Sequence, residues 1–462
     1  MSVLDKILAH IDADLDHAHE RLFQTIRLKS IATDPALATE TRACAEWHAA
    51  DLKTIGFDAR ARGTKGHPIM LGHHRKGTGT SVRFYGHYDV QPVDPLELWT
   101  SDPFDPTIVT LPGGTRELHA RASADDKGPL MTFVEACRAW KAVTGKLPVP
   151  VTILLEGEEE SGCAHLPAFL YEAAEELRAD VAMICDTNMG DTTTPAITTS
   201  LRGPCAEEIT IHAADRDLHS GFYASAARNP NHVLVRILAD LHDEAGGITL
   251  SGFYDGVPEL PDAMRESWKK LDFSEKAFLG EVGLSVPAGE KGRSVLEQTW
   301  PRPTCEVNGM VGGDTGEGFK TVIPAQASAK ISFRPVFDHD PHKIRAAFRA
   351  AFRAFVKSRL PADCRVEFTK FGSGTAVAFE VSAPAFQATQ AALTDEWGKH
   401  AAFAGGGGSI PVTTLIKQKL GMDVVMAGFG RSDARIHSPD EKYSLTSFHK
   451  GIRSWARVLA AL

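Results

Sequence analysis

The chain has 462 residues, room for two or three domains of ordinary size. Fifty Lys and Arg stand against 59 Asp and Glu, a formal charge of -9, with 43% hydrophobic and 24% charged residues. Those figures exclude a disordered chain or a collagen-like repeat, and the acidic balance argues against a binder of the nucleic-acid backbone, leaving small molecules as the expected partners.

At the N-terminus, Val3, Leu4, Ile7, Leu8, Ile11 and Leu15 fall at helical spacing, while Asp5, Lys6, Asp12 and Asp14 interrupt any apolar stretch. A docked surface helix is predicted there rather than a signal peptide. No run of about 18 apolar residues occurs, so no membrane partner is expected. The seven cysteines are scattered and form no CxxC pair, which suits reduced thiols and a cytoplasmic location. Over the first two hundred residues short β-rich runs alternate with helical stretches, the pattern of an α/β layer with a largely parallel sheet. Strands are predicted at 82–85, 149–156 and 180–185, and a helix from near Pro129. Polar clusters follow all three strands: GHYDV, EGEEESG and DTNMGD. Ligands in open α/β sheets gather outside the carboxyl ends of strands, so the three clusters imply one shared site.

After residue 204 the character changes. Runs 206–212 and 327–333 alternate apolar and polar residues, as antiparallel strands with one solvated face do. Helices are predicted at 229–242 and 342–356. In the second, Ile344, Phe348, Phe352 and Phe355 form one stripe, and Arg345, Arg349 and Arg353 form another, read as a solvated face. Buried character returns near residue 380, with a core strand at 423–427, and Gly405 to Gly408 reads as a pliant loop opening onto a helix. The expected organisation is an α/β domain in two segments, 1–202 and 381–462, interrupted by a smaller α+β domain at 203–380.

The chemistry gathers at the strand ends. At His87-Tyr88-Asp89 the i, i+2 spacing lets Asp89 hold the imidazole of His87. Asp125 and Asp126 are adjacent carboxylates just before a helix. Glu156, Glu158, Glu159 and Glu160 crowd together with no Lys or Arg in the stretch, a repulsion that a cation would relieve. On an extended backbone Glu159 and Glu160 would point oppositely, one to a metal and one to a water. Asp186 ends the next strand, and His437 lies in a turn after the strand at 423–427. Each of these residues alone also reads as ordinary structure. Together, His87, Asp125, Glu160, Asp186 and His437 make a mixed nitrogen and oxygen set suited to zinc or manganese, and five ligands with one bridging carboxylate suit two metals.

From about residue 80 onward the chain resembles the di-zinc aminoacylase, carboxypeptidase and dipeptidase family, in its branch of carnosinase and the cytosolic Cys-Gly dipeptidase. The resemblance rests on FYGHYDVQPVDPLELWTSDPFDP, SADDKGP, EGEEESG, the Asp186 strand end, DLHSGFYASAARNPNHVL, GGSIPV and IHSPDEKY, all in order. It implies a zinc-peptidase-like catalytic domain with a mostly parallel sheet and an inserted two-layer, ferredoxin-like lid and dimerisation domain. By the same resemblance His87 and Asp186 would hold one divalent metal, Glu160 and His437 the other, and Asp125 would bridge them. Glu159 would be the general base and Asp89 the partner of His87, with the Asp125-Asp126 peptide cis. His219 would reach into a partner subunit's site, implying a homodimer with shared active sites. Arg334 would bind the substrate carboxylate, and backbone N–H groups near Gly408 and Ser409 could receive one too.

Three segments depart from the family pattern. Gly405-Gly406 stand where relatives carry an Arg-Glu pair, Ala120-Arg121-Ala122-Ser123 loses two glycines, and Asp440 replaces an Asn. The expected function is hydrolysis of the amide bond of dipeptides or similar small substrates with a free carboxylate, by metal-activated water and a Glu base. An N-acyl amino acid deacylase, a carboxypeptidase-like amidase and a noncatalytic binding protein are the alternatives.

Overall fold

The computed structural model describes residues 1–260, 262–336 and 341–462. Among these, nine strands form one sheet in the order Asp58–Arg62, Ile69–His74, Val151–Glu156, Val82–His87, Val181–Ile184, Asp423–Met426, Ala196–Leu201 and Val377–Ala378, with Ala402–Gly406 also paired to Ala196–Leu201. The centre is parallel: Val82–His87 lies between Val151–Glu156 and Val181–Ile184, which in turn pairs with Asp423–Met426. The mostly apolar composition of Val151–Glu156 and Val181–Ile184 matches their burial, since a strand covered on both faces has no solvated side to keep polar; Val82–His87 is equally buried although it carries Arg83 and His87. Helices Lys127–Thr144 and Leu445–Ala461 pack together over Val82–His87. There the rings of Phe84 and Phe133 stack with centroids 4.0 Å apart, and Trp455 meets both edge-on. The N-terminal stretch forms two helices rather than one, Val3–Ala13 and Leu15–Ile26, which meet at Asp14 and bury Ile7, Leu8, Ile11, Leu22 and Ile26.

A second, antiparallel sheet runs in the order Thr304–Gly312, Gln326–Arg334, Cys205–His212 and Arg365–Ser373. Helices Pro230–Ala239 and Pro341–Arg359 accompany it, and Phe352 and Phe355 are buried in its core as their spacing predicted. The side chains of Ile344, Arg345 and Phe348 lie outside the described residues. The arginine stripe departs from the predicted solvated face. Glu207 alternates inward on its strand and is fully buried, and Arg349 and Arg353 bend to it at 2.9 and 3.0 Å. A buried carboxylate requires such partners, and strand alternation alone does not reveal them. The buried side chains of the two sheets form separate clusters. Among the described residues no helix is long and apolar enough to cross a membrane.

Candidate functional site

The parallel centre of the first sheet brings several carboxyl ends to one place. His87 is the last residue of its strand, Asp186 lies two residues beyond Val181–Ile184, and Glu159 and Glu160 follow Val151–Glu156. His437 lies beyond Asp423–Met426, and Asp125 precedes the helix that packs over His87's strand. That helix can begin where it does because residue 128 is glycine: a Cβ there would sit 1.9 Å from the Ser123 carbonyl oxygen. The fully buried Lys127 fixes the same loop by donating to the carbonyls of Thr25 and Leu28 at 2.9 and 2.8 Å. The Asp125-Asp126 peptide is cis.

Asp125 stands between two imidazoles. Its Oδ1 is 3.1 Å from His87 Nε2, and its Oδ2 is 3.0 Å from His437 Nε2. Asp186 completes a group with His87, and Glu160 one with His437, its Oε2 lying 3.3 Å from His437 Nε2. Within each group the ligand atoms lie within 4.8 Å of one another. Ligands of a tetrahedral ion with bonds near 2.0–2.1 Å stand about 3.3 Å apart, so both groups have the size and the donor chemistry of a divalent-cation site.

Asp89 serves both halves of the cluster. Its backbone carbonyl lies 3.1 Å from His87 Nδ1, with a carboxylate oxygen at 3.5 Å, while the carboxylate accepts the N–H groups of Glu159 and Glu160 at 3.2 and 3.0 Å. Glu159 and Glu160 therefore sit in a turn closed onto the Glu158 and Glu159 carbonyls, not on the extended backbone expected from sequence. Two of the four crowded acids have local partners: Glu156 Oε2 accepts from the Tyr85 hydroxyl at 2.6 Å, and Glu158 pairs with His165 at 2.8 Å. Only Glu159 and Glu160 turn to the cluster.

The electrostatics match a centre built around positive charge. Burial pushes the Glu159 carboxyl up to about 8, with Asp186, Glu160 and Asp89 adding to the rise against the pull of His87. Asp186 is raised by burial and by Asp125. Hydrogen bonds to Asp125 and Glu160 lift His437 to about 10, and the two imidazoles outweigh burial to hold Asp125 well below the carboxylate range. Protons thus collect between the ligand pairs where cations would sit.

Residues that the motifs did not single out hold the cluster in place. Glu441 accepts the N–H groups of Ala124 and Asp125 at 2.8 and 3.1 Å, and its second oxygen takes Arg121 Nη1 at 2.7 Å. Arg121 is itself buried and also donates to the Pro92 carbonyl. Gln91 donates to Glu160 Oε2 at 2.7 Å, and Asp126 accepts the His87 N–H at 3.2 Å. Glu441, Gln91 and Asp126 lie inside the quoted motifs, which is the available signal, while Arg121 stands two residues before one of them. The sequence departures are absorbed locally: Ala122 takes φ +73°, where glycine would be at ease, and Asp440 at φ +57° accepts the backbone and hydroxyl of Thr100.

The other expected site residues are not among the two ligand groups. His219 is exposed on Leu218–His219, caps the Gly221 N–H at 3.0 Å and packs on Phe222. Arg334 ends Gln326–Arg334, near enough to Arg202 for their charges to interact. Gly408 and Ser409 line a cavity that reaches Asp186. Gly405 and Gly406 belong to a strand rather than a loop, because they pair with Ser200 and Leu201 across a bulge.

Residues 83–461 match the model of Peptidase family M20/M25/M40. The chain is 30% identical over 455 residues to the Cys-Gly metallodipeptidase DUG1 of Candida albicans, covering 94% of this chain and 92% of that protein. Its fold is similar to that of the di-peptidase Dug1p from Saccharomyces cerevisiae, with a TM-score of 0.83 at 27% identity over 100% of this chain and 99% of that one. It is also similar to the M20 family metallo-carboxypeptidase Sso-CP2 from Sulfolobus solfataricus, with a TM-score of 0.81 at 28% identity over 96% and 98%. The chain belongs to peptidase family M20/M25/M40 and is a metallopeptidase, a hydrolase that works with divalent metal ions.

Proposed function

We propose that this metallopeptidase is a two-metal dipeptidase that cleaves the amide bond of dipeptides or similar small substrates with a free carboxylate. The observation that carries the reading is Asp125, one carboxylate whose two oxygens face two different histidines, each with a further carboxylate beside it. In this reading His87 and Asp186 would hold one ion, Glu160 and His437 the other, and Asp125 would serve both, with zinc the ion implied by the family resemblance and manganese the alternative that these donors also suit. Divalent cations bound there supply Lewis acidity to a water and to the scissile carbonyl.

Glu159, beside the ligands and free of a hydrogen bond to its carboxylate among the described residues, takes the water proton. The water oxygen adds to the carbonyl carbon, the C–N bond breaks, and Glu159 returns the proton to the leaving amine. Asp89 keeps His87 and the Glu159 turn in register. Arg334 takes the substrate carboxylate with its planar fork, and Gly408 and Ser409 wall the substrate cavity. We read 1–202 and 381–462 as the catalytic domain and 203–380 as a lid and dimerisation unit, supported by the separate sheets and cores. His219, exposed and in contact with Gly221 and Phe222, then serves the oxyanion in a second copy, making a cytoplasmic homodimer with shared sites.

The test compares dipeptides with N-acyl amino acids, since the second reading, an N-acyl amino acid deacylase or carboxypeptidase-like amidase, would share the metals and the base and differ in the pocket. Turnover of dipeptides supports the first; turnover of acyl substrates alone replaces it. Glu159→Gln and His219→Ala chains should each lose about 10²-fold or more in kcat. Co-expressed, they should recover up to roughly a quarter of wild-type rate, because half of random dimers are mixed and each mixed dimer has one intact site. No recovery would remove the shared site.

A further inference from the structure

A cavity of about 260 Å³ opens beside Asp186, walled by Met189, Leu201, Trp300 and the backbone of the 404–410 segment. A second cavity of about 300 Å³ continues it, sharing Met189, Trp300 and Gly407; Phe273, Phe278 and Leu296 supply its apolar wall, and Asp191, Arg202, Asp272, Glu281 and Arg431 also line it. The glycine run gives this double cavity its shape. A Cβ on Gly405 would stand 2.6 Å from Trp300 Cβ, and one on Gly407 would stand 2.7 Å from Arg202 Nη2. Because both positions lack side chains, Trp300 and Arg202 close directly on the backbone. Trp300 is set edge-on to Trp268, whose indole N–H donates to the Phe403 carbonyl at 2.8 Å, so the aromatic wall is tied to the same strand. Arg202, which is buried and lines the second cavity, donates Nε to the Gly407 carbonyl and Nη1 to the carbonyls of Gln298 and Arg302, and so braces the run.

We propose that this double cavity is the specificity pocket, and that it selects substrates carrying a large apolar or aromatic side chain. The inference rests on the dipeptidase reading for the place of the scissile bond. It follows from the continuity of the apolar wall formed by Met189, Phe273, Phe278, Leu296 and Trp300 with the ligand Asp186, in a volume typical of small-molecule sites. Apolar pockets discriminate by about tenfold or more per methylene that they bury.

The metal-loaded enzyme is assayed on dipeptides with leucine or phenylalanine at either position, against glycine and alanine counterparts. Binding of the free amino acids is measured by calorimetry in parallel. The wild type should show kcat/KM at least about tenfold higher for the large side chains at one of the two positions. Ala277→Trp, which adds bulk from the exposed helix Glu275–Gly280 into the second cavity, should bring that ratio close to one. Equal kcat/KM across side chains, or a ratio unmoved by Ala277→Trp, overturns the pocket assignment. If no dipeptide is cleaved, the dipeptidase reading falls separately, and the pocket stands only if leucine binds more tightly than glycine and Ala277→Trp abolishes that difference.

Discussion

Glu441 shows how much of the centre depends on residues that touch no substrate. Its carboxylate collects two backbone N–H groups from the Asp125 loop and one guanidinium, and burial pushes it up to about 7 against the pull of Arg121. It sits four residues after His437, so it ties the loop of one histidine to the loop of the carboxylate between both. Partners of this kind typically contribute 10–100-fold in metal affinity. Glu441→Gln would keep an oxygen for the N–H pair but turn an amide toward Arg121, leaving that buried charge unpaired. Divalent-metal affinity, measured by competition with a chromogenic chelator, should fall about 10-fold or more; unchanged affinity would reduce Glu441 to a fold residue.

At the scale of elements, the legible features are those that short-range physics dictates. The strands at Val82, Val151 and Val181 were visible because an apolar run of four to eight residues suits a strand covered on both faces. The convergence of His87, Asp125, Glu160, Asp186 and His437 was legible from motif order together with the rule that parallel strands present their carboxyl ends on one side. What escaped depends on distant partners. The Glu159–Glu160 turn exists because Asp89, 70 residues earlier, accepts their N–H groups. Arg349 and Arg353 look solvated from sequence because nothing near them reveals Glu207. Gly405 and Gly406 look like a loop until Ala196–Leu201 supplies the ladder they join.

For the whole molecule, the N-terminal helices are coupled to the centre through buried polar groups, and this makes stability depend on pH. His48 is 1% exposed, with Nε2 3.0 Å from the Thr25 hydroxyl, and Lys127 holds the Thr25 carbonyl. Burial, with the nearby charge of Lys127, lowers His48 from 6.5 to about 3, and burial lowers His19 to about 4. The unfolded chain binds protons at these histidines first, so their contribution is complete above pH 6.5 and is lost as pH falls toward 4. Urea unfolding of metal-free protein should show His48→Gln losing less stability than wild type between pH 6.5 and about 5, by on the order of 2 kcal/mol. Parallel losses would mean that His48 is already open to protons in the folded state. The central claim is the paired metal site, and the direct measurement is bound divalent ion per chain, by equilibrium dialysis, alongside dipeptide turnover. The account predicts two ions per wild-type chain, one for His437→Ala, fewer than one for Asp125→Ala, and turnover only with both sites filled. Full turnover by wild-type chains holding a single ion would contradict it.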